Sequence, residues 1–187
     1  MTQAVPLQDI DFEDYLELDT GEGRLEWISG HVYAMSGGTQ RHNLMTGLVY
    51  SLLREGAVAE GCSPYVENRR LRTEFTAYYP DVMVTCGPPA HEQYETDANL
   101  LVEVLSPSTQ DVDRREKPLA YAGLTSFELY LLVDPDRVRI EVGRMRAGRL
   151  RWAYYGAGDT LETPYGPLVL DEVYSSVDRV AARKTQP

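Results

Sequence analysis

The chain has 187 residues, 43% of them hydrophobic and 25% charged, enough for one sizeable core in an ordinary globular protein. No apolar run approaches about 20 residues, which excludes a transmembrane helix, and the acidic start lacks the basic-then-apolar pattern of a secretory signal. The net charge of −11 weighs against a nucleic-acid partner, but residues 1–36 hold eight acids and one Arg and so carry −7 of it. Basic clusters lie in the remainder: Arg69, Arg70 and Arg72; Arg114, Arg115 and Lys117; and six arginines between 137 and 151. Each taken singly reads as a solvated face. Cys62 and Cys86 make no disulfide framework and lack metal-type spacing, so a reducing cytoplasm is the expected setting.

The pattern from Asp11 to Leu16 begins a short capped helix. Residues 24–28 and 31–35 alternate around Ser29-Gly30 and predict a hairpin. Gly37-Gly38 breaks the chain. Thr39 then caps a helix to about Arg54, with Leu44, Leu48 and Leu52 along its apolar face and Gly56 and Gly61 bracketing its end. Strands are expected near 64–75 and 78–85, and Gly87-Pro88-Pro89 opens a loop to about Thr96. A strand over 99–105 comes next. The turn Ser106-Pro107-Ser108-Thr109 caps a helix from about Asp111 to Tyr121. An apolar strand over 127–133 turns at Asp134-Pro135-Asp136 into an alternating strand over 138–142. Gly148 marks a turn before 150–155. Leu168 to Val173 closes the fold, and the last residues fray. No repeat or linker divides the chain, so residues 1–187 read as a single domain.

Strand 99–105 is apolar on both faces, as expected for a central strand covered on both sides, except at Glu103. A carboxylate there is costly unless a metal, a partner charge or hydrogen bonds compensate it. Asp81 stands in a similar setting after Pro80, which imposes an extended approach. If the two strands are neighbours, both carboxylates reach one Mg²⁺, an ion that prefers oxygen ligands and commonly bridges to phosphate. It would activate water and offset charge on a scissile phosphodiester. Asp113, Lys117 and Tyr121 lie at i, i+4 and i+8 on the following helix, so Lys117 can aim an ammonium at the same place. In isolation Asp113 and Lys117 would be a surface pair worth roughly a few tenths of a kcal/mol.

Pro80-Asp81, then Glu103-Val104-Leu105-Ser106-Pro107-Ser108-Thr109, then Asp113, Lys117 and Tyr121 form an ordered set. It resembles the signature of the Uma-type putative restriction endonuclease family, within the PD-(D/E)XK nuclease superfamily. Glu26 before Ser29-Gly30 is similar to that family's early Glu, and His42 to its helix-opening His. The resemblance extends through Tyr130-Leu131-Leu132-Val133, Tyr154-Tyr155 and Glu172-Val173-Tyr174. It implies an α/β fold of restriction-endonuclease type, with a mixed central sheet flanked by helices and an added N-terminal hairpin. It also implies a Mg²⁺- or Mn²⁺-dependent nuclease acting on DNA. Asp81 and Glu103 would bind the metal, and Lys117 would orient water or stabilise transition-state charge. Glu26 and His42 would be further ligands or water-positioning groups, with Asp113 as an additional site residue. The pattern expects a lysine two positions after Glu103, where this chain has Leu105; Lys117 resembles a replacement arriving from the helix.

Competing readings are structural. His42 near a helix start is more often a cap or solvent-facing, and Glu26 can be the polar side of a hairpin. His31 and His91 belong to no constellation. Ser106 and Ser108 lack a nucleophile elbow, and no glycine spacing fits a Walker or dinucleotide loop. Tyr78-Tyr79 and Tyr154-Tyr155 read as core and strand residues rather than base-stacking platforms. The alternative function is a catalytically inactive binding or assembly protein on the same fold. No membrane partner is expected, and a homodimer would supply two symmetry-related sites for cutting two strands.

Overall fold

The computed structural model describes residues 4–5, 9–18, 23–35 and 37–182. The chain runs β1 (Ala4–Val5), α1 (Phe12–Leu18), β2 (Leu25–Ile28), β3 (His31–Ala34), α2 (Gln40–Ala59) and β4 (Ser63–Val66). It continues through β5 (Arg70–Arg72), β6 (Thr76–Tyr78), β7 (Val82–Thr85), β8 (Tyr94–Glu95) and β9 (Leu100–Val104). Two short helices, α3 (Gln110–Arg115) and α4 (Lys117–Tyr121), precede β10 (Leu129–Asp134), β11 (Arg139–Arg146) and β12 (Arg149–Gly156). The ribbon β13 (Thr160–Thr163) and β14 (Gly166–Val169) leads into α5 (Leu170–Ala182).

The central sheet has the order β12-β11-β10-β9-β7-β4. Only β9 and β10 are parallel in it, joined by the crossover that carries α3 and α4, so the sheet is mixed. Helices α2 and α5 cover one face. Met45, Val49, Leu53 and Ala57 of α2 pack on Val82, Val84, Leu100, Val102, Leu131 and Val142. The other face meets a second sheet, ordered β1-β3-β2-β6-β5-β8, together with α4. There Leu71, Tyr78, Met83, Leu101, Leu105, Tyr121 and Tyr130 form a separate cluster. Alternation along β9 sends Leu100, Val102 and Val104 to the helices and Leu101, Glu103 and Leu105 to the second sheet.

The expected architecture is present, and the departures have local causes. The apolar face of α2 is turned by one residue: Met45, Val49 and Leu53 are buried, while Leu52 is 42% exposed. The helix passes through Gly56 rather than ending there. A Cβ at Gly56 would lie 2.1 Å from the carbonyl oxygen of Tyr165, so a bare Cα lets the β13–β14 turn touch the helix. The runs at 64–75 and 78–85 divide into β4, β5, β6 and β7, shared between two sheets, and β8 interrupts the loop to Thr96. The helix expected over 111–121 breaks at Glu116, where Pro118 cannot donate to Arg114. Residues 170–182 are helical, with Leu170, Val173, Tyr174 and Val177 buried, so the chain does not fray before Ala182. Residues 183–187 lie outside the described residues.

Cys62 and Cys86 are joined, their Cα atoms 4.2 Å apart, one step beyond the Ser63–Thr85 pair of β4 and β7. The first basic cluster is not a solvated face. Arg69 pairs with Glu95 at 2.6 Å, and the buried Arg70 donates to Tyr79 Oη at 2.5 Å. Among the described residues no helix is long and apolar enough to cross a membrane.

Candidate active site

Antiparallel pairing of Val82 with Val102 puts Asp81 beside Glu103 on neighbouring strands, at the end of the central sheet where β9 and β10 finish. Asp81 Oδ2 accepts from the Val104 N–H at 2.7 Å and lies 3.3 Å from His42 Nε2. His42 is set on the first turn of α2, where its own N–H donates to the Thr39 hydroxyl at 3.2 Å. Gly38 leaves room for the ring: a Cβ there would stand 2.9 Å from His42 Nδ1. Burial opposes a charge on this imidazole, but the hydrogen bond to Asp81 and its negative charge outweigh it and raise the pKa.

Glu67 joins these two. Its N–H donates to the Asp81 carbonyl at 3.0 Å, and its carbonyl accepts from Arg24 at 3.1 Å. Its φ of 55° is a conformation that non-glycine residues rarely hold, and such residues concentrate where function imposes them. Ligand atoms of His42, Glu67 and Asp81 all lie within 4.8 Å of one another. Sequence reasoning missed Glu67, because Val66-Glu67-Asn68 was absorbed into an expected strand.

Glu103 takes a different set of partners. Its Oε2 is 2.9 Å from Lys117 Nζ, and its Oε1 accepts from the Tyr121 hydroxyl at 3.2 Å. Lys117 is also 3.0 Å from Asp113 Oδ1, so the ammonium lies between two carboxylates and 5.4 Å above the Tyr78 ring. Lys117, Asp113 and Glu103 are 4%, 1% and 3% exposed, which makes this a buried network rather than a surface pair. Asp113 is fixed from behind, where Tyr130 Oη donates to its carbonyl at 2.9 Å. Leu105 packs into the apolar cluster of the second face, and its N–H donates to Val133.

One cavity of about 270 Å³ is lined by both groups: His42, Glu67 and Asp81 on one side, Glu103, Asp113 and Lys117 on the other. Glu26 is outside this lining. It sits on β2, where its Oε1 accepts from the Tyr79 N–H at 3.4 Å and burial raises its pKa despite Lys117. Burial likewise holds the Glu103 carboxyl well above 4.5; Lys117 opposes this, and Asp113 and Asp81 add to it. Burial works against the Lys117 ammonium, yet Glu103 and Asp113 raise its pKa well above 10.5 and keep it charged.

The neighbourhood therefore holds more carboxylates than cations. Among the described residues, Glu26, Glu67, Asp81, Glu103 and Asp113 stand against three cationic side chains, Arg24, His42 and Lys117. An imidazole and carboxylates within mutual ligand distance, set in excess negative charge, are a donor set that suits a divalent cation.

The comparisons with known proteins identify the family and the fold. The family model Uma2, described as "Putative restriction endonuclease", matches residues 12–173, from the start of α1 into α5. An uncharacterized protein of Synechocystis sp. is 31% identical over 144 residues, covering 74% of this chain and 76% of its own. A second uncharacterized protein of that organism is 29% identical over 122 residues, covering 62% of this chain and 69% of its own. A crystal structure from Anabaena variabilis, described as a putative nuclease belonging to DUF820, matches with a TM-score of 0.74 at 16% identity. It covers 90% of this chain and 99% of that one, and the likeness is one of fold. The family model spans every residue that lines the cavity and most of the chain, and the chain belongs to the Uma2 family.

Proposed function

We propose that the protein is a divalent-metal-dependent endonuclease that hydrolyses DNA phosphodiester bonds. The observation that carries this reading is the shared cavity. A group suited to a cation and a buried, charged lysine open into the same space of about 270 Å³. Asp81 and Glu103 are the metal-binding acids in this reading, with His42 and Glu67 as further ligands on the Asp81 side. When bound, Mg²⁺ or Mn²⁺ would polarise a phosphodiester oxygen and lower the pKa of a bound water. An imidazole ligand favours Mn²⁺ over Mg²⁺; a His42 that only holds Asp81 leaves an oxygen set that suits Mg²⁺.

The chain's own residues do the rest. Lys117, held in its charged form, serves as a fixed donor that orients water or stabilises negative charge on the phosphorus oxygens, and not as a base. Glu103, with its raised pKa and two donors, sets the position of that ammonium and is the carboxylate best placed to take a proton. Asp113 and Tyr121 are positioning residues, each acting through Lys117 or Glu103.

The test is cleavage of supercoiled and linear DNA with Mg²⁺ or Mn²⁺, with and without chelator, alongside calorimetry of metal binding. Metal-dependent cleavage that chelation abolishes and Glu103→Gln removes is the expected result. Metal binding without cleavage would favour an inactive binding protein on this fold. No metal binding and no cleavage would end the nuclease reading.

A further inference from the structure

Next to the candidate site lies a second groove of about 300 Å³, which shares Ser106 and Pro107 with it. Its outer wall carries Arg114, Arg137 and Arg139. The acids around it are already engaged. Glu141 pairs with Arg114 at 2.9 Å and lies 3.7 Å from Arg139, and Asp136 pairs with Arg41 at 3.5 Å. Asp134 Oδ1 accepts the N–H groups of Asp136 and Arg137 within its turn. Arg137 is exposed, and its guanidinium has no carboxylate partner among the described residues. Arg139 leans over the ring of Tyr154 at 4.6 Å.

Tyr154 is not a core residue: it is 63% exposed, on the edge strand of the central sheet. Strand register puts it on the face and row of the candidate site. Glu103 pairs laterally with Leu132, Leu132 with Glu141, and Glu141 with Tyr154. Three strand spacings of about 4.8 Å separate Glu103 from Tyr154, or roughly 14 Å. At about 3.4 Å per stacked nucleotide, that is about four nucleotides.

We propose that this groove carries a single-stranded stretch of the DNA substrate away from the scissile phosphate. Arg137 and Arg139 hold its phosphates, and Tyr154 stacks an unpaired base on the ring face that Arg139 leaves open. The inference rests on the nuclease reading and names its substrate as DNA with an unpaired segment about four nucleotides from the cut. A fully paired helix would present no base to the tyrosine. The charge belongs with this partner, since three arginines against the single shared carboxylate of Glu141, in a chain of net charge −11, are a local attraction for phosphate.

The experiment is fluorescence anisotropy of the whole protein in chelator, with duplex DNA that is blunt or bears unpaired tails of two or six nucleotides. The six-nucleotide tail should bind about 5- to 100-fold more tightly than the blunt duplex. Tyr154→Ala should erase that preference and Tyr154→Phe should keep it. Arg137→Gln and Arg139→Gln should each lower the salt slope by about one. A wild type indifferent to tail length, or a Tyr154→Ala variant that retains the preference, overturns the inference while cleavage still supports the nuclease reading. A wild type that neither binds nor cuts any DNA overturns both.

Discussion

The two faces of the central sheet are built on different rules. Towards α2 and α5, β9 offers Leu100, Val102 and Val104 to an apolar layer closed at one end by the Cys62–Cys86 link. Towards the second sheet it offers Leu101 and Leu105 with Glu103 between them, and Glu103 meets Lys117, Asp113 and Tyr121. The strand Leu100–Val104 and the residue after it thus anchor the fold on one side and a charge network on the other. A protein can carry buried carboxylates when one layer supplies enough apolar burial to leave the other free for chemistry.

The strongest way to break this division is Lys117→Met. It should abolish cleavage and also cost about 3–5 kcal/mol, because Glu103 and Asp113 would be left buried without a cation. Denaturant unfolding and a cleavage assay on the same preparation read both effects. If stability is unchanged, Lys117 is not the counter-charge that its two short contacts imply. On the helix face, Leu131→Ala should cost about 2–5 kcal/mol, since its side chain is fully buried. Below its lowered melting temperature the variant should still bind metal as the wild type does; altered metal affinity would show that the faces are coupled. Breaking the link with Cys86→Ser should cost at most about 3.5 kcal/mol for a sequence separation of 24 residues, an effect read as a drop in Tm.

The smallest effect is a slope. Because burial raises the folded pKa of Glu103 above 4.5, its contribution to stability is complete below pH 4.5 and is lost as pH rises through the folded value. Chelated wild type should therefore lose stability relative to Glu103→Gln as pH rises above 4.5, in Tm scans at matched ionic strength. A divalent ion should reduce that loss, because it favours the ionised carboxylate. Parallel pH profiles for the two proteins would mean that Glu103 is already ionised and compensated by Lys117 alone.

Much of this was legible in the residues. A lone Glu in a β-run, an Asp after Pro80 and a Lys at i+4 from Asp113 marked three side chains that the fold brings to one cavity. The spacing did not show Glu67, because a left-handed residue between two strands leaves no periodic trace. Of the second sheet it showed only the hairpin at β2 and β3; β1, β5, β6 and β8, of two or three residues each, are too short for alternation to register. Helix α5 was readable: Leu170, Val173, Tyr174 and Val177 keep the i, i+3, i+4, i+7 pattern, with Asp171 and Glu172 in the first turn. The direct run from β14 into the helix, with no breaker between them, hid the boundary. Tyr154 read as core because an edge strand and a central strand share one alternation.

The helical origin of Lys117 has a consequence for how the chain can vary. A lysine two positions after Glu103 would be fixed by the strand that carries the acid. Lys117 instead reaches Glu103 through the Ser106–Thr109 turn, α3 and the break at Glu116. One inserted residue in that stretch would rotate the lysine by about 100° around its helix and swing it away from its acid. A surface turn of small polar residues is ordinarily where insertions are tolerated. Here residues 106–116 act as a ruler: away from Asp113 substitutions can be absorbed, but a change in length cannot.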